Sequence, residues 1–269
     1  MPARDQVLAL VQPAFQPPEL MIETARAAES AGIDEVWLWE ACFYSSGIAP
    51  AAASLSATER MRVGIGLLPV PLRAPSLAAM EIAAMARMFP GRFLPGLGHG
   101  ILGWMGQAGV RVESPLTLLR EHLSAITVLL DGEEVTVTGR YVRLDGVRLD
   151  FPPEVIPPIY IGGRGPKTLA LGGELAHGLI LDDVAPEGRA DPGRVREVID
   201  HVGEHSELVA FLSTPDDVTA DRLAHEAGTL FAAGISRVAA FAGGVDGPPR
   251  SGDDIRRFVD VLAAAGGCG

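Results

Sequence analysis

Eight short apolar runs alternate with Ala-rich amphipathic segments along this chain, and this alternation constrains the fold more than any other feature of the sequence. Such a pattern predicts repeated βα units around a parallel sheet. Eight strands, each followed by a helix, favour a (β/α)8 TIM barrel, and a doubly wound sheet is the alternative. The runs occupy residues 6–14, 35–40, 62–69, 93–100, 158–163, 177–183, 207–214 and 237–244.

Several of the amphipathic segments begin with Pro or Asp and end at Gly, as helices do. The sequence predicts helices over residues 18–31, 76–88, 166–176, 192–202, 215–233 and 253–265.

One stretch, residues 101–151, departs from the βα pattern. A helix around residues 117–130 is followed by the alternating sequence EEVTVTGRYVRLDGVRLDF, which predicts a β-hairpin inserted after the fourth strand. The sequence has no linker or internal repeat, so we expect residues 1–269 to form a single domain with 101–151 as its insertion.

Charge and cysteine content narrow the function classes. A formal net charge of −12 disfavours binding to nucleic acid or to an anionic membrane surface, and no basic patch offsets it. Cys42 and Cys268 are the two thiols. We expect no leader and no membrane span, because the sequence shows no charged-then-apolar leader pattern and no apolar run of membrane-spanning length. We therefore expect a cytoplasmic, reduced protein.

The C-terminal ends of the strands of a parallel barrel lie at one rim, so residues at those ends converge. Glycine at a strand end lets a flat ligand or an anion approach the main chain closely. The candidates at this rim are Gln12, Phe15, Trp39, Glu40, residues 66–69, residues 98–100, residues 162–167, Asp182, Asp183, Ser213 and Gly243.

The sequence GGRGPKTLAL at residues 162–171 follows the fifth apolar run. Its glycines can expose consecutive N–H groups, and Pro166 suits a first helical turn, so the positive end of a helix would face the rim. That arrangement suits phosphate, whereas a tight left-handed turn is the alternative explanation for the glycines. The stretch is neither a Walker loop nor a G-x-G-x-x-G fingerprint, because Pro166 replaces the Gly that precedes Lys in the former.

Other sites have weaker support. His201 and His205 are spaced like metal ligands, but Gly203 lies between them and no H-E-x-x-H motif is present, so we expect a solvated helix end and no metal. The sequence has no G-x-S-x-G motif, and Cys42 is interpreted as a small buried apolar residue. His99, in GLGHG, has either a wall-lining or a catalytic role.

Five ordered segments resemble the bacterial luciferase-like flavin-dependent oxidoreductases. Within that family the chain is most similar to the reductase-type, methylenetetrahydromethanopterin reductase-like branch, which uses the deazaflavin coenzyme F420. The segments are AGIDEVWLWEA, SATERMRVGIGLLPVPLRAPS, PGRFLPGLGHGILGWMGQAG, SPLTLLREHLSAITVLLDGEEVTVTGRYVRLDGVRLDFPP and PPIYIGGRGPKTLALGGELAHGLIL.

The resemblance implies a set of cofactor-binding residues. It implies a non-prolyl cis peptide between Gly66 and Leu67 that supports the flavin ring from behind, and it places Gly98 and His99 beside the cofactor. It places the cofactor phosphate on the loop after the fifth strand, which comprises Gly162, Gly163, Arg164, Gly165 and Pro166.

The chain also departs from the family. Alcohol-oxidising members carry an Asp-His pair at the second strand, where this chain has Glu40 and Ala41, so alcohol oxidation by that route is not expected. The C-terminal third is shorter than in family members, so cofactor tail contacts made there are expected to be missing.

The resemblance implies hydride transfer between coenzyme F420 and a small molecule with a C=N or C=C bond, in a homodimer. Glu40 is the first candidate proton donor or polar orienter and His99 the second; a capped strand end and a packed ring are the alternatives. FMN-dependent oxygenation and a flavin-binding barrel without turnover are the alternative functions.

Overall fold

Eight parallel strands close into a barrel in the computed structural model, which describes residues 6–203, 206–243 and 251–267. The predicted (β/α)8 barrel is therefore confirmed, and the doubly wound sheet is wrong. In chain order the strands are β1 (Val7–Gln12), β2 (Glu35–Leu38), β3 (Arg62–Pro69), β4 (Phe93–Gly98), β5 (Val135–Thr138), β6 (Arg143–Val147), β7 (Tyr160–Gly162), β8 (Gly178–Leu181), β9 (Glu207–Thr214) and β10 (Arg237–Ala242).

Strands β5 and β6 stand apart from the barrel as an antiparallel pair, in which Val135 lies opposite Val147. The predicted hairpin is thus confirmed. Because residues 99–159 form an excursion, β4 pairs directly with β7 in the barrel wall, with Gly98 opposite Gly162.

Helices surround the barrel and cover its apolar outer face. They are α1 (Glu19–Ser30), α2 (Ile48–Ser56), α3 (Pro75–Met88), α4 (Leu102–Gln107), α5 (Pro115–Leu130), α6 (Pro166–Leu175), α7 (Pro192–Val202), α8 (Ala220–Ala233) and α9 (Gly252–Gly266). Proline opens α3, α5, α6 and α7, at a position where a backbone N–H has no helical partner.

One predicted helix begins later than expected, and two helices, α2 and α4, were not predicted. The helix predicted from residue 215 begins at Ala220, because residues 215–218 form a turn in which Val218 N–H donates to the Pro215 carbonyl. Thr219 then caps the helix by accepting a hydrogen bond from the Arg222 N–H. Helix α2 was not predicted, since its sequence IAPAAASLS carries no charged residue to mark a solvent face.

Aromatic side chains fill the barrel interior. Trp37, which is 0% exposed, packs edge-on against Tyr160 with ring centroids 5.5 Å apart, and against Phe211 at 6.2 Å. Gly64 faces the indole, and a Cβ there would lie 2.5 Å from Trp37 ring atoms. The lumen is therefore a packed core and not a channel.

A buried ionic network closes the N-terminal end of the barrel. Glu35, fully buried at the start of β2, lies 2.7 Å from Arg237 at the start of β10 and accepts a hydrogen bond from the Trp37 indole N–H. Arg237 also pairs with Glu207 at 3.2 Å, and the Tyr160 hydroxyl donates to Glu207 at 2.7 Å. Burial raises the pKa of Glu35, although the neighbouring arginines oppose that shift.

Replacing Arg237 with Met is expected to destabilise the fold by about 3–5 kcal/mol, because it leaves Glu35 buried without its main counter-ion. Urea denaturation at neutral pH measures the effect. Arg256→Met is the control, since Arg256 makes exposed ion pairs that contribute little. Equal stability losses in the two variants would contradict the importance of the network.

Candidate active site at the rim of the barrel

The third strand carries an irregularity at the rim. The peptide bond between Gly66 and Leu67 is cis, as the sequence resemblance implied, and the pairing of β3 with β4 shifts register between Ile65 and Leu68. Gly66 faces Phe211 of β9, and the Leu67 side chain reaches toward Gly98 of β4.

Leu67 lies across the ends of two neighbouring strands. A Cβ placed on Gly98 at the end of β4, or on Gly162 at the end of β7, would overlap the Cδ2 atom of Leu67. Glycine is thus the residue that leaves room for Leu67 at both positions. Leu67 and the two glycines that it covers, Gly98 and Gly162, are here called the Leu67 shelf. A planar ring could lie against the partly exposed Leu67 side chain.

Aromatic rings close the lumen beneath the other side of the rim. Trp39 packs against Phe241 at 4.9 Å, Phe211 at 5.8 Å and Phe15 at 6.3 Å between ring centroids. Within the described residues, the buried indole nitrogen of Trp39 has no hydrogen-bond partner. Tyr44, which is 65% exposed, lies 6.5 Å from Trp104 of α4, so the inserted segment does reach the rim.

Glu40 is held in an ion pair. Its two oxygens accept hydrogen bonds from Arg73 at 2.7 and 3.0 Å, and one of them also accepts from the Gly47 N–H at 2.7 Å. The Glu40 side chain is 5% exposed, and Arg73 pairs in addition with Glu81 at 3.1 Å. Glu40 therefore fixes residues 41–47 to the segment after β3.

His99 connects the end of β4 to the first turn of α6. Its Nε2 atom lies 2.9 Å from the Thr168 hydroxyl, and the Thr168 methyl group packs where Gly163 has no side chain. Burial lowers the pKa of His99, and the carbonyl of Pro115 opposes the shift only in part, so the imidazole is neutral at neutral pH.

The loop between β7 and α6, residues 162–167, is called the anion loop below. Residues 164–167 are exposed, and Gly165 has open space on its Cα. Thr168 and Leu169 donate to the Gly165 carbonyl, whereas the N–H groups of Gly165 and Lys167 have no partner in the part of the chain that the structure describes. Free amides at a helix N-terminus fit a phosphate group.

Acidic residues at the end of β8 flank the anion loop. Asp182 pairs with Arg164 through two hydrogen bonds of 2.7 and 2.8 Å, and Asp183 pairs with Arg194 of α7 at 3.0 Å. Both guanidinium charges are thus balanced locally, so among the described residues the free donors of the loop are its main-chain amides and the Lys167 ammonium group.

Sequence reasoning did not find the residues that support the loop. His201, predicted to be a solvated helix end, places Nε2 at 2.8 Å from the Pro166 carbonyl oxygen, and Arg194 donates to the Arg164 carbonyl. No local signal marks these contacts, because each joins residues at least thirty positions apart. His205 and Cys268 lie outside the described residues.

A metal site and a membrane-spanning helix are both absent from the described residues. No group of three or more His, Cys, Asp or Glu side chains is placed to hold a metal ion in residues 6–203, 206–243 and 251–267. Across the same ranges, no helix combines the length and the apolar character needed to span a bilayer.

The sequence profile of luciferase-like monooxygenases matches residues 4–233. The chain belongs to this family. The resemblance seen in the sequence is confirmed, and the luciferase-like barrel accounts for the eight strands and their helices.

Curated relatives of this luciferase-like chain include two oxidoreductases at about 30% identity. A 5,10-methylenetetrahydromethanopterin reductase from Methanolobus tindarius is 30% identical over 61% of this chain and 50% of its own length. A glucose-6-phosphate dehydrogenase from Nakamurella multipartita, named as F420-dependent, is 32% identical over 62% of this chain and 52% of its own. The chain spans about half the length of these relatives.

A solved structure shows the same luciferase-like fold. The F420-dependent secondary alcohol dehydrogenase in complex with an F420-acetone adduct superposes with a TM-score of 0.81 at 18% identity, covering 97% of this chain and 99% of that chain. At this identity the likeness concerns the fold alone.

The Leu67 shelf makes a prediction about glycine substitution. Gly98→Ala and Gly162→Ala are each expected to lower the free energy of unfolding by about 1–3 kcal/mol, because the new Cβ forces Leu67 out of place. Thermal denaturation measures the loss.

Gly165→Ala is the matched control, since Gly165 has a φ of −77° and no atom within 4 Å of an added Cβ. Adding Leu67→Ala to either destabilised variant should recover part of its loss. Absence of that recovery would show that Leu67 is not the clashing group.

Proposed function

We propose that this protein is an oxidoreductase that transfers hydride between coenzyme F420 and a small organic substrate with a C=N or C=C bond. The carrying observation is that an anion loop with free amides adjoins the Leu67 shelf. The proposal is supported by relatives at 30% and 32% identity, a methylenetetrahydromethanopterin reductase and a dehydrogenase named as F420-dependent.

The residues present fit such a cofactor. When bound, coenzyme F420 supplies the ring carbon that gives or accepts hydride. The N–H groups of Gly165 and Lys167 would bind its phosphate, together with the positive end of α6. The Leu67 shelf would support one face of the ring, and the packed aromatic lumen beneath would exclude water.

We assign His99 and Glu40 different roles. His99 carries a neutral imidazole within hydrogen-bonding distance of the Thr168 hydroxyl, so a proton that the ring gives to substrate can be replaced from water through that hydroxyl. Glu40 does not donate a proton, because its oxygens accept hydrogen bonds from Arg73 and the Gly47 N–H. It orients the loop of residues 41–47 at the rim. Ala41, which follows Glu40, offers no base for alcohol oxidation.

His99→Asn is expected to slow hydride transfer about 100-fold while changing the dissociation constant for coenzyme F420 little, since the residue moves a proton and does not bind the phosphate. Stopped-flow oxidation of the reduced coenzyme by 1-pyrroline or 2-cyclohexenone measures the rate.

His225→Asn, on the exposed face of α8, is the control. Equal rates in the His99 variant and the control would contradict the catalytic role. Failure of the wild-type protein to bind the coenzyme would contradict the proposed function as a whole.

FMN-dependent oxygenation is the second candidate, and the name of the matching family favours it. The same loop and shelf would hold FMN. Oxygen uptake with reduced FMN, coupled to an oxygenated product, would select this function over hydride transfer. Binding of either cofactor without turnover would instead indicate a flavin-binding barrel.

We also propose that a second copy of the chain covers α3. Leu77, Met80 and Met88 are 45%, 57% and 58% exposed and share one stripe of this helix with Ala84. A helix that is apolar on its outer face as well as its inner face is normally covered.

Met80→Glu is expected to shift the protein from dimer to monomer, because it places a charge in that stripe. Light scattering coupled to size-exclusion chromatography measures the mass. Ala232→Glu, on the exposed side of α8, should leave the mass unchanged. A wild-type monomer at micromolar concentration would contradict the dimer.

Two further assignments complete the proposal. A cytoplasmic location is supported by the low cysteine content and by the free buried thiol of Cys42. We treat residues 1–269 as a single domain with residues 101–151 inserted between β4 and β7.

A further inference from the structure

Two side chains of α7 contact the anion loop from behind. The Nη2 atom of Arg194 donates to the carbonyl oxygen of Arg164 at 2.9 Å, and Nε2 of His201 lies 2.8 Å from the carbonyl oxygen of Pro166. Arg194 and His201 are seven positions apart, which is two helical turns, so both project from one face of α7.

These contacts fix the direction of two peptide groups. In a trans peptide the N–H of one residue points opposite to the carbonyl of the residue before it. Holding the Arg164 carbonyl against α7 therefore turns the Gly165 N–H away from α7, and holding the Pro166 carbonyl does the same for Lys167. These two amides, like that of Arg164, have no partner among the described residues.

Arg194 is itself held in place. Its Nε donates to Asp183 at 3.1 Å and its Nη1 to Glu197 at 3.3 Å, while Nη2 makes the contact with the loop. With two carboxylates balancing its charge and its Nη2 committed to a carbonyl, Arg194 is placed to act on an anion through the loop and not by direct contact.

We propose that Arg194 and His201 are positioning residues that preorganise the amides of Gly165 and Lys167 for a phosphate group. This inference rests on the proposed function, because the phosphate is that of the cofactor. It goes further in stating that Arg194 and His201 increase the affinity for phosphate without touching it. The contact of His201 requires a proton on its Nε2.

The test compares ligands with and without phosphate. Dissociation constants of the wild-type protein, Arg194→Met and His201→Phe are measured by fluorescence for FMN and riboflavin, and for coenzyme F420 and its phosphate-free deazariboflavin. Each variant is expected to weaken binding of the phosphorylated ligand about 10-fold, as one lost hydrogen bond with a preorganised group predicts. Binding of the phosphate-free ligand should stay unchanged.

Conservative variants and surface controls separate positioning from general support of the fold. Arg194→Lys and His201→Gln can still donate to the loop carbonyls and should retain most of the affinity. Arg196→Met on the exposed side of α7 and His225→Phe on α8 should behave as the wild type.

A second measurement does not depend on the flavin. In ¹⁵N NMR spectra, inorganic phosphate is expected to shift the amide resonances of Gly165 and Lys167 in the wild-type protein, and to shift them much less in Arg194→Met and His201→Phe.

The outcomes distinguish this inference from the proposed function. Equal weakening of phosphorylated and phosphate-free ligands, or no weakening at all, would overturn the positioning role while leaving the cofactor assignment intact. A wild-type protein that binds FMN no better than riboflavin, and coenzyme F420 no better than its phosphate-free form, would overturn both.

Discussion

The buried ion pair between Glu35 and Arg237 is the interaction on which the arrangement of the barrel depends. It joins β2 to β10, which lie on either side of β1, and it extends through Glu207 to the Tyr160 hydroxyl on β7. Charged groups at such low exposure are tolerated because each has a partner. By closing one end of the lumen with a fixed network, the chain leaves the opposite end free to be shaped by glycines and loops.

The two ends of the barrel therefore follow different rules. At the closed end, large polar side chains meet and satisfy one another's charges and hydrogen bonds. At the rim, Gly98 and Gly162 have no side chains, and this leaves room for Leu67. The anion loop offers main-chain donors in the same way, and the Lys167 ammonium group is the charged donor beside them. The candidate site at this rim thus consists largely of backbone groups and glycines, and His99 is the titratable residue beside them.

The sequence predicted the strands because each is a short apolar run set between amphipathic segments. Strands buried on both faces of a barrel are apolar along their length, whereas the surrounding helices are apolar on one face only. The sequence also predicted the glycines of the rim, because the C-terminal ends of parallel strands lie together at one end of the barrel. It could not predict the contacts of Arg194 and His201, which depend on how α7 packs beside the anion loop. The bidentate pairing of Glu40 with Arg73 was equally hidden, because only the fold brings residues 33 positions apart together.

The excursion between β4 and β7 has a consequence for how this barrel can diversify. The strands at its two ends, β4 and β7, are hydrogen-bonded to each other, so the excursion leaves and re-enters the barrel at adjacent strands. Lengthening such a loop costs little, about 0.6 kcal/mol for each doubling of its length. The residues between β4 and β7 can therefore change in length or sequence while the pairing of the barrel strands stays the same.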